Sequence, residues 1–142
     1  MAAVNGVNNT KAADPKAANI LNPGVLGGKK RVMVDTYTAS ALASGSTIAV
    51  GKSLPVGAIV TGVKLGFAAL GASSTLSVGD AGSATRYLAA ASSATAGTRL
   101  GPDLVTGLGY VVTGTSDTDI LITTGGASIT GAVAIEIEYV VE

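Results

Sequence analysis

From Arg31 onward, apolar and polar residues alternate with a period of two, the pattern of strands with one face turned to a core. The clearest case is "GAVAIEIEYVVE". There Val133, Ile135, Ile137, Tyr139 and Val141 face one way, and Glu136 and Glu138 face the other. "AIVTGVKLGFA" aligns Ile59, Val63, Leu65 and Phe67, with Lys64 opposite. "RVMVDTYTA" places Val32, Val34, Thr36 and Thr38 on one face, "STIAVGK" pairs Ile48 with Val50, and "TLSVG" pairs Leu76 with Val78. "GYVVTG" and "DILITT" read as strands around the turn "GTSDT", and "RYLAA" as a short strand or helical turn. "GDAGSAT" is a turn formed by Asp80, Gly82 and Ser83. "SALASGS" and "ASSATAG" read as loops, because Ser, Thr and Gly surround each alanine and no apolar stripe forms. About eight strands at this spacing predict an all-β fold, an antiparallel β-sandwich of jelly-roll-like form.

The first 30 residues follow no such period. "VNNTKAADPKAANILNPGVLGGKK" is rich in Asn, Pro and Gly, and Pro15 and Pro23 interrupt any long helix. Residues 1–30 are expected to form an extended N-terminal arm, and residues 31–142 the sandwich domain. Ordering each arm residue costs roughly 1–2 kcal/mol, so contacts outside the arm must offset it. Its apolar anchors are Val4, Val7, Ile20, Leu21, Val25 and Leu26. Gly27 and Gly28 offer a hinge. Lys29, Lys30 and Arg31 are either a solvated boundary or the point where the arm meets an acidic partner surface.

Composition limits the chemistry. Ala, Gly, Ser and Thr fill about half of the 142 residues, so the core is thin and built from Val, Leu and Ile. Nine basic and nine acidic residues cancel, giving no sign of a nucleic-acid or membrane-surface binder. A small neutral domain of this kind gains from oligomerising. With no histidine and no cysteine, His-based acid–base catalysis, Cys nucleophiles, disulfides and Cys-ligated metals are excluded. No phosphate-binding, dinucleotide or nucleophile-elbow motif occurs. Glu136 and Glu138 share the solvated face of a strand, and Asp117 and Asp119 read as turn residues rather than a calcium loop. No catalytic residue, cofactor or metal is expected. "MAAVNGVNNTK" lacks an apolar signal core and "PVGAIVTGVKLGFAALG" is too short for a membrane span, so a soluble chain made without export is expected.

The segments "LPVGAIVTGVKLGFAALGASSTLSVGDAGSATRYLAAASSATAGT" and "DTDILITTGGASITGAVAIEIEYVV", about two thirds of the chain, resemble small tailed-phage virion proteins encoded near the major capsid protein. The resemblance implies a non-enzymatic capsid cement or decoration protein, or alternatively a head fibre, spike or receptor- or glycan-binding domain. It further implies a β-sandwich that sits as a trimer on capsomer junctions. The implied partners are the major capsid protein and further copies of itself, and the implied location is the capsid surface of the virion after synthesis in the host cytoplasm.

Overall fold

The computed structural model describes residues 29–103 and 105–141. The alternating segments form eight strands: β1 (Lys30–Leu42), β2 (Thr47–Leu54), β3 (Ile59–Phe67), β4 (Thr75–Asp80), β5 (Ser83–Ser92), β6 (Gly97–Gly101), β7 (Thr118–Gly125) and β8 (Ile129–Val140). They make two four-stranded antiparallel sheets, β1-β8-β3-β6 and β2-β7-β4-β5, here called sheet A and sheet B. β1 pairs with β8, β2 with β7, β3 with β6 and β4 with β5. These pairings nest like one long hairpin, with its tip at β4–β5, rolled up on itself. That winding is a jelly roll.

The inner faces meet in one apolar core. Val133, Ile135 and Ile137 of β8 and Val63 and Leu65 of β3 pack against Leu76 and Val78 of β4 and Ile120 and Ile122 of β7. Each such side chain, once buried, contributes about 1.5–3 kcal/mol. Phe67 and Tyr139 are partly buried against this cluster, as their faces predict.

Two polar devices close the open sides of the sandwich. On one side the Asp35 carboxylate of β1 accepts the backbone N–H of Gly51 in β2 at 2.8 Å. On the other, Arg99 of β6 donates to the carbonyl of Leu76 in β4 at 3.0 Å and to Asp103 at 3.1 Å, and Asp103 accepts the N–H of Ala89 in β5. Each joins one sheet to the other across an edge that side chains alone would leave wet.

Three expectations need correction. "GYVVTG" is not a strand: Val111 makes only an isolated bridge to Ile59, because the segment belongs to a long loop pinned to β5. β6, which the pattern did not announce, is a five-residue strand of small and charged residues. Finally, Val32 and Val34 do not face the core. They are 56% and 67% exposed, while Met33, Asp35 and Ala39 take the inner side of β1. The apolar pair lies on the outer face of sheet A.

Candidate functional site

Strand directions sort the loops into two groups. The register row Lys30–Val140–Ile59–Val111 runs across the sheet where the chain arrives from residues 1–28. Loops 55–58, 81–82 and 102–117 share this proximal end; loops 43–46, 68–74, 93–96 and 126–128 form the distal end.

The proximal end is apolar and exposed. Val105 is 92% exposed and Leu108 66%, and Val56 and Val111 are exposed at the same end. Val56 lies in a turn tied to the long loop by Gly57 N–H to Val112 O (2.9 Å) and Val112 N–H to Ala58 O (2.8 Å). The loop itself is anchored on β5. The Asp103 N–H donates to the Tyr87 carbonyl at 3.0 Å, and Gly107 lies so close that a Cβ there would meet the Arg86 carbonyl at 2.1 Å. The Arg86 guanidinium stacks 3.8 Å from the centre of the Tyr110 ring. Its Nε also donates to the buried Asp80 carboxylate at 2.5 Å, and that carboxylate accepts the N–H groups of Gly82 and Ser83. The hydrogen bond to Asp80 holds the Arg86 pKa above its ordinary value. Tyr87, fully buried beside this pair, has its hydroxyl pKa raised chiefly by burial, and that hydroxyl has no hydrogen-bond partner. The anchors are therefore buried while the valine and leucine side chains point away from them.

The outer face of sheet A is a second surface. One row across it reads Val34–Glu136–Lys64–Leu100 and the next Thr36–Ala134–Gly66–Thr98. In the second row Ala134 and Gly66 on the central strands are smaller than the threonines on the edge strands, and depressions of about 220 and 270 Å³ lie beside Lys64. Lys30 Nζ lies 2.6 Å from the Glu138 carboxylate at its proximal border.

Among the described residues no three metal-binding side chains gather. Asp119 accepts the hydroxyl of Ser53 at 2.5 Å, and Asp117 is exposed.

No family model matches the chain, and no curated protein matches it. Among solved structures it is similar to a chain of the cyanophage Pam1 capsid asymmetric unit. The two share 32% sequence identity, the match covers 100% of each chain, and the TM-score is 0.70. The chain belongs to that family of phage capsid-associated chains. A chain from the capsid of Ralstonia phage GP4 shares the fold alone, at 18% identity and TM-score 0.64, over 81% of this chain and 86% of that one.

For a capsid-associated protein the informative residues are those that can meet a neighbour. Of the residues expected to do so, Val4, Val7, Ile20, Leu21, Val25 and Leu26 lie outside the described residues. Lys29 precedes β1, and Lys30 and Arg31 open it; all three are exposed at the proximal end. Sequence reasoning missed Val56, Val105, Leu108 and Val111. The signal was present in "PDLVTGLGYVVTG", where Pro102, Gly107 and Gly109 break every run of alternation.

Proposed function

We propose that the chain is a cement or decoration protein of a phage head. It binds the shell of major capsid protein from outside as a homo-oligomer of three copies, performs no catalysis, and holds neighbouring capsomers together. The observation that carries this reading is the end-to-end similarity, at 32% identity, to a chain of a capsid asymmetric unit. The fold adds support, because exposed apolar loop residues concentrate at the end from which residues 1–28 leave. On this reading the proximal end faces the shell. Residues 1–28 extend the contact through Val4, Val7, Ile20, Leu21, Val25 and Leu26, with Lys29, Lys30 and Arg31 at their base. A protein that binds only the assembled shell stabilises it by mass action.

A glycan-binding fibre or spike has less behind it. Such sites present several exposed aromatic rings, yet of the five aromatic residues only Tyr37 is exposed; Tyr87 is fully buried, Tyr110 lies against Arg86, and Phe67 and Tyr139 pack on the core. The test is to add purified protein to heads of the cognate phage assembled without it. Cosedimentation and a rise in the temperature of head rupture are expected. Protein that stays in the supernatant and leaves the rupture temperature unchanged contradicts the reading.

A further inference from the structure

We propose that the outer face of sheet A pairs with the same face of a second copy, about a two-fold axis running along the strands. The basis is the order of side chains across the sheet. The row Val34–Glu136–Lys64–Leu100 reads apolar, acidic, basic, apolar from β1 to β6. A two-fold along the strands reverses the row in the facing copy. Val34 then meets Leu100 of the second copy and Glu136 meets its Lys64, and each contact occurs twice. Val34 and Leu100 are 67% and 70% exposed, so the pairing buries aliphatic side chains that the subunit leaves in water. Lys64 and Glu136 stand side by side on neighbouring strands, yet among the described residues neither enters an ion pair. Glu138, in the next row, is held instead by Lys30.

The row Thr36–Ala134–Gly66–Thr98 is also its own complement. Reversed, it sets Thr36 against Thr98 and Ala134 against Gly66. Nothing within the chain requires glycine at position 66. Its φ is not positive, and a Cβ there would meet no atom nearer than 3.9 Å. A glycine inside a strand weakens it and marks a place where another backbone comes close. Here that backbone is β8 of the facing copy. The face is about 19 Å wide and about 27 Å long, roughly 500 Å² per copy, so the pair sits at the lower end of specific interfaces and is weak in free solution. The charge pairs fix register and partner more than they add affinity. A closed trimer has no internal two-fold, so the contact joins copies of different trimers. The proposal goes beyond the cement reading and is tested on free protein, so either can fail without the other.

The chain has no cysteine, so introduced thiols report cleanly. The full-length variant Val34→Cys, Leu100→Cys is treated with a short bismaleimide. Within one chain the two positions are three strand spacings, about 14 Å, apart, too far for the reagent to bridge. Two-fold pairing should give covalent dimers closed by two links. They should form at least about tenfold faster than in Val34→Cys, Ala72→Cys, whose second thiol sits on an exposed distal loop and measures random collision. Equal rates overturn the proposal. So do covalent trimers, which arise where β1 of one copy meets β6 of the next around a ring. Charge reversal is the second check, in the same Val34→Cys, Leu100→Cys background. Lys64→Glu alone and Glu136→Lys alone should each cut dimer yield roughly tenfold, because two attractive contacts become repulsive. Mixing the two variants should restore the yield as mixed dimers. A mixture no better than its parts contradicts the pairing. Gly66→Val fills open space with a good strand former, so it should keep or raise the melting temperature and still abolish the dimers. Dimers that survive it also contradict the pairing.

Discussion

The distal and proximal ends of the sandwich are both made of short turns and one longer loop, yet they treat their side chains in opposite ways. At the distal end loops 43–46, 68–74 and 93–96 are each bonded to a neighbouring loop or strand. Gly45 N–H donates to Thr124 O, Leu70 N–H to Ser93 O and Ser93 N–H to Ser74 O, while Thr124 Oγ1 donates to Ala43 O. Its one large aliphatic, Leu70, is buried. At the proximal end the bonding and the Arg86–Asp80 pair lie beneath the surface, and the aliphatic residues are left outside. The difference separates two duties. Small polar residues at the distal end satisfy one another and finish the fold. The proximal end finishes the fold with its buried anchors and leaves an apolar surface exposed, which on the proposed reading meets the shell.

The sharpest way to break this contrast is to add one methyl group at each end. Gly126 has φ +71°, and a Cβ there would meet the Ser73 carbonyl at 1.9 Å, with both partners fixed in the interlocked distal turns. Gly126→Ala should destabilise the domain by about 3 kcal/mol in a denaturant titration. Gly107→Ala makes a similar clash, but against a loop that can lift from β5. It should cost about 1 kcal/mol and loosen Tyr110 from Arg86, seen as a change in tyrosine near-ultraviolet circular dichroism. Equal losses at the two sites would erase the distinction.

A smaller effect sharpens the distal half of the contrast. The Ser74 hydroxyl donates to Gly71 O at 2.7 Å, so the 2.8 Å contact between the buried Ser74 and Ser93 hydroxyls has Ser93 as donor. Ser74→Ala strands the Ser93 hydroxyl and leaves the Gly71 carbonyl only the longer bond from the Ser74 N–H, and should cost about 2 kcal/mol. Ser93→Ala strands only one lone pair and should cost about 1 kcal/mol or less by the same denaturant titration.

The smallest effect belongs to the belt between the ends. The N–H groups of Gly51 and Thr36 hold the Asp35 carboxyl below its ordinary pKa of 3.8. The group therefore contributes stability above that pH and loses it as pH falls through the lower folded-state value. Asp35→Asn should flatten this acid limb in melts between pH 5 and 2, by slightly lowering stability near neutrality while leaving it unchanged at the acid end. An unaltered acid limb removes Asp35 as its source.

Much of the architecture was legible in the sequence, because a strand buried on one face must alternate. β8 could be read almost residue by residue, and the expected jelly-roll form holds. In β3 the alignment of Val63, Leu65 and Phe67 holds, but a bulge between Val60 and Gly62 puts Val60 rather than Ile59 on the core face with them. The misreadings have physical causes. Val32 and Val34 alternate as a core face does, but on an edge strand alternation does not say which face turns inward. β6 is too short and too polar to carry a period. The proximal loop was taken for a strand because "GYVV" has strand composition, while the Arg86–Tyr110 contact that fixes it as a loop joins residues 24 apart in sequence. The exposed apolar end was only half legible for a related reason: the prolines and glycines of "PDLVTGLGYVVTG" mark a loop but not where its side chains go. An apolar residue announces burial, and only the fold reveals that Val105 and Leu108 are left out.

The most direct measurement of the central claim, that the proximal end faces the shell, is head binding by two full-length variants. One carries Val105→Asp and Leu108→Asp, and the other carries Ala72→Asp at the exposed tip of a distal loop. Exposed substitutions of this kind change fold stability by about 0.5 kcal/mol or less, so thermal melts should match the wild type. Cosedimentation with heads lacking the protein should fall at least about tenfold for the proximal variant, the loss of one or two buried aliphatic contacts, and stay at the wild-type level for the distal one. Full binding by the proximal variant, or loss confined to Ala72→Asp, would place the shell at the other end and contradict the account.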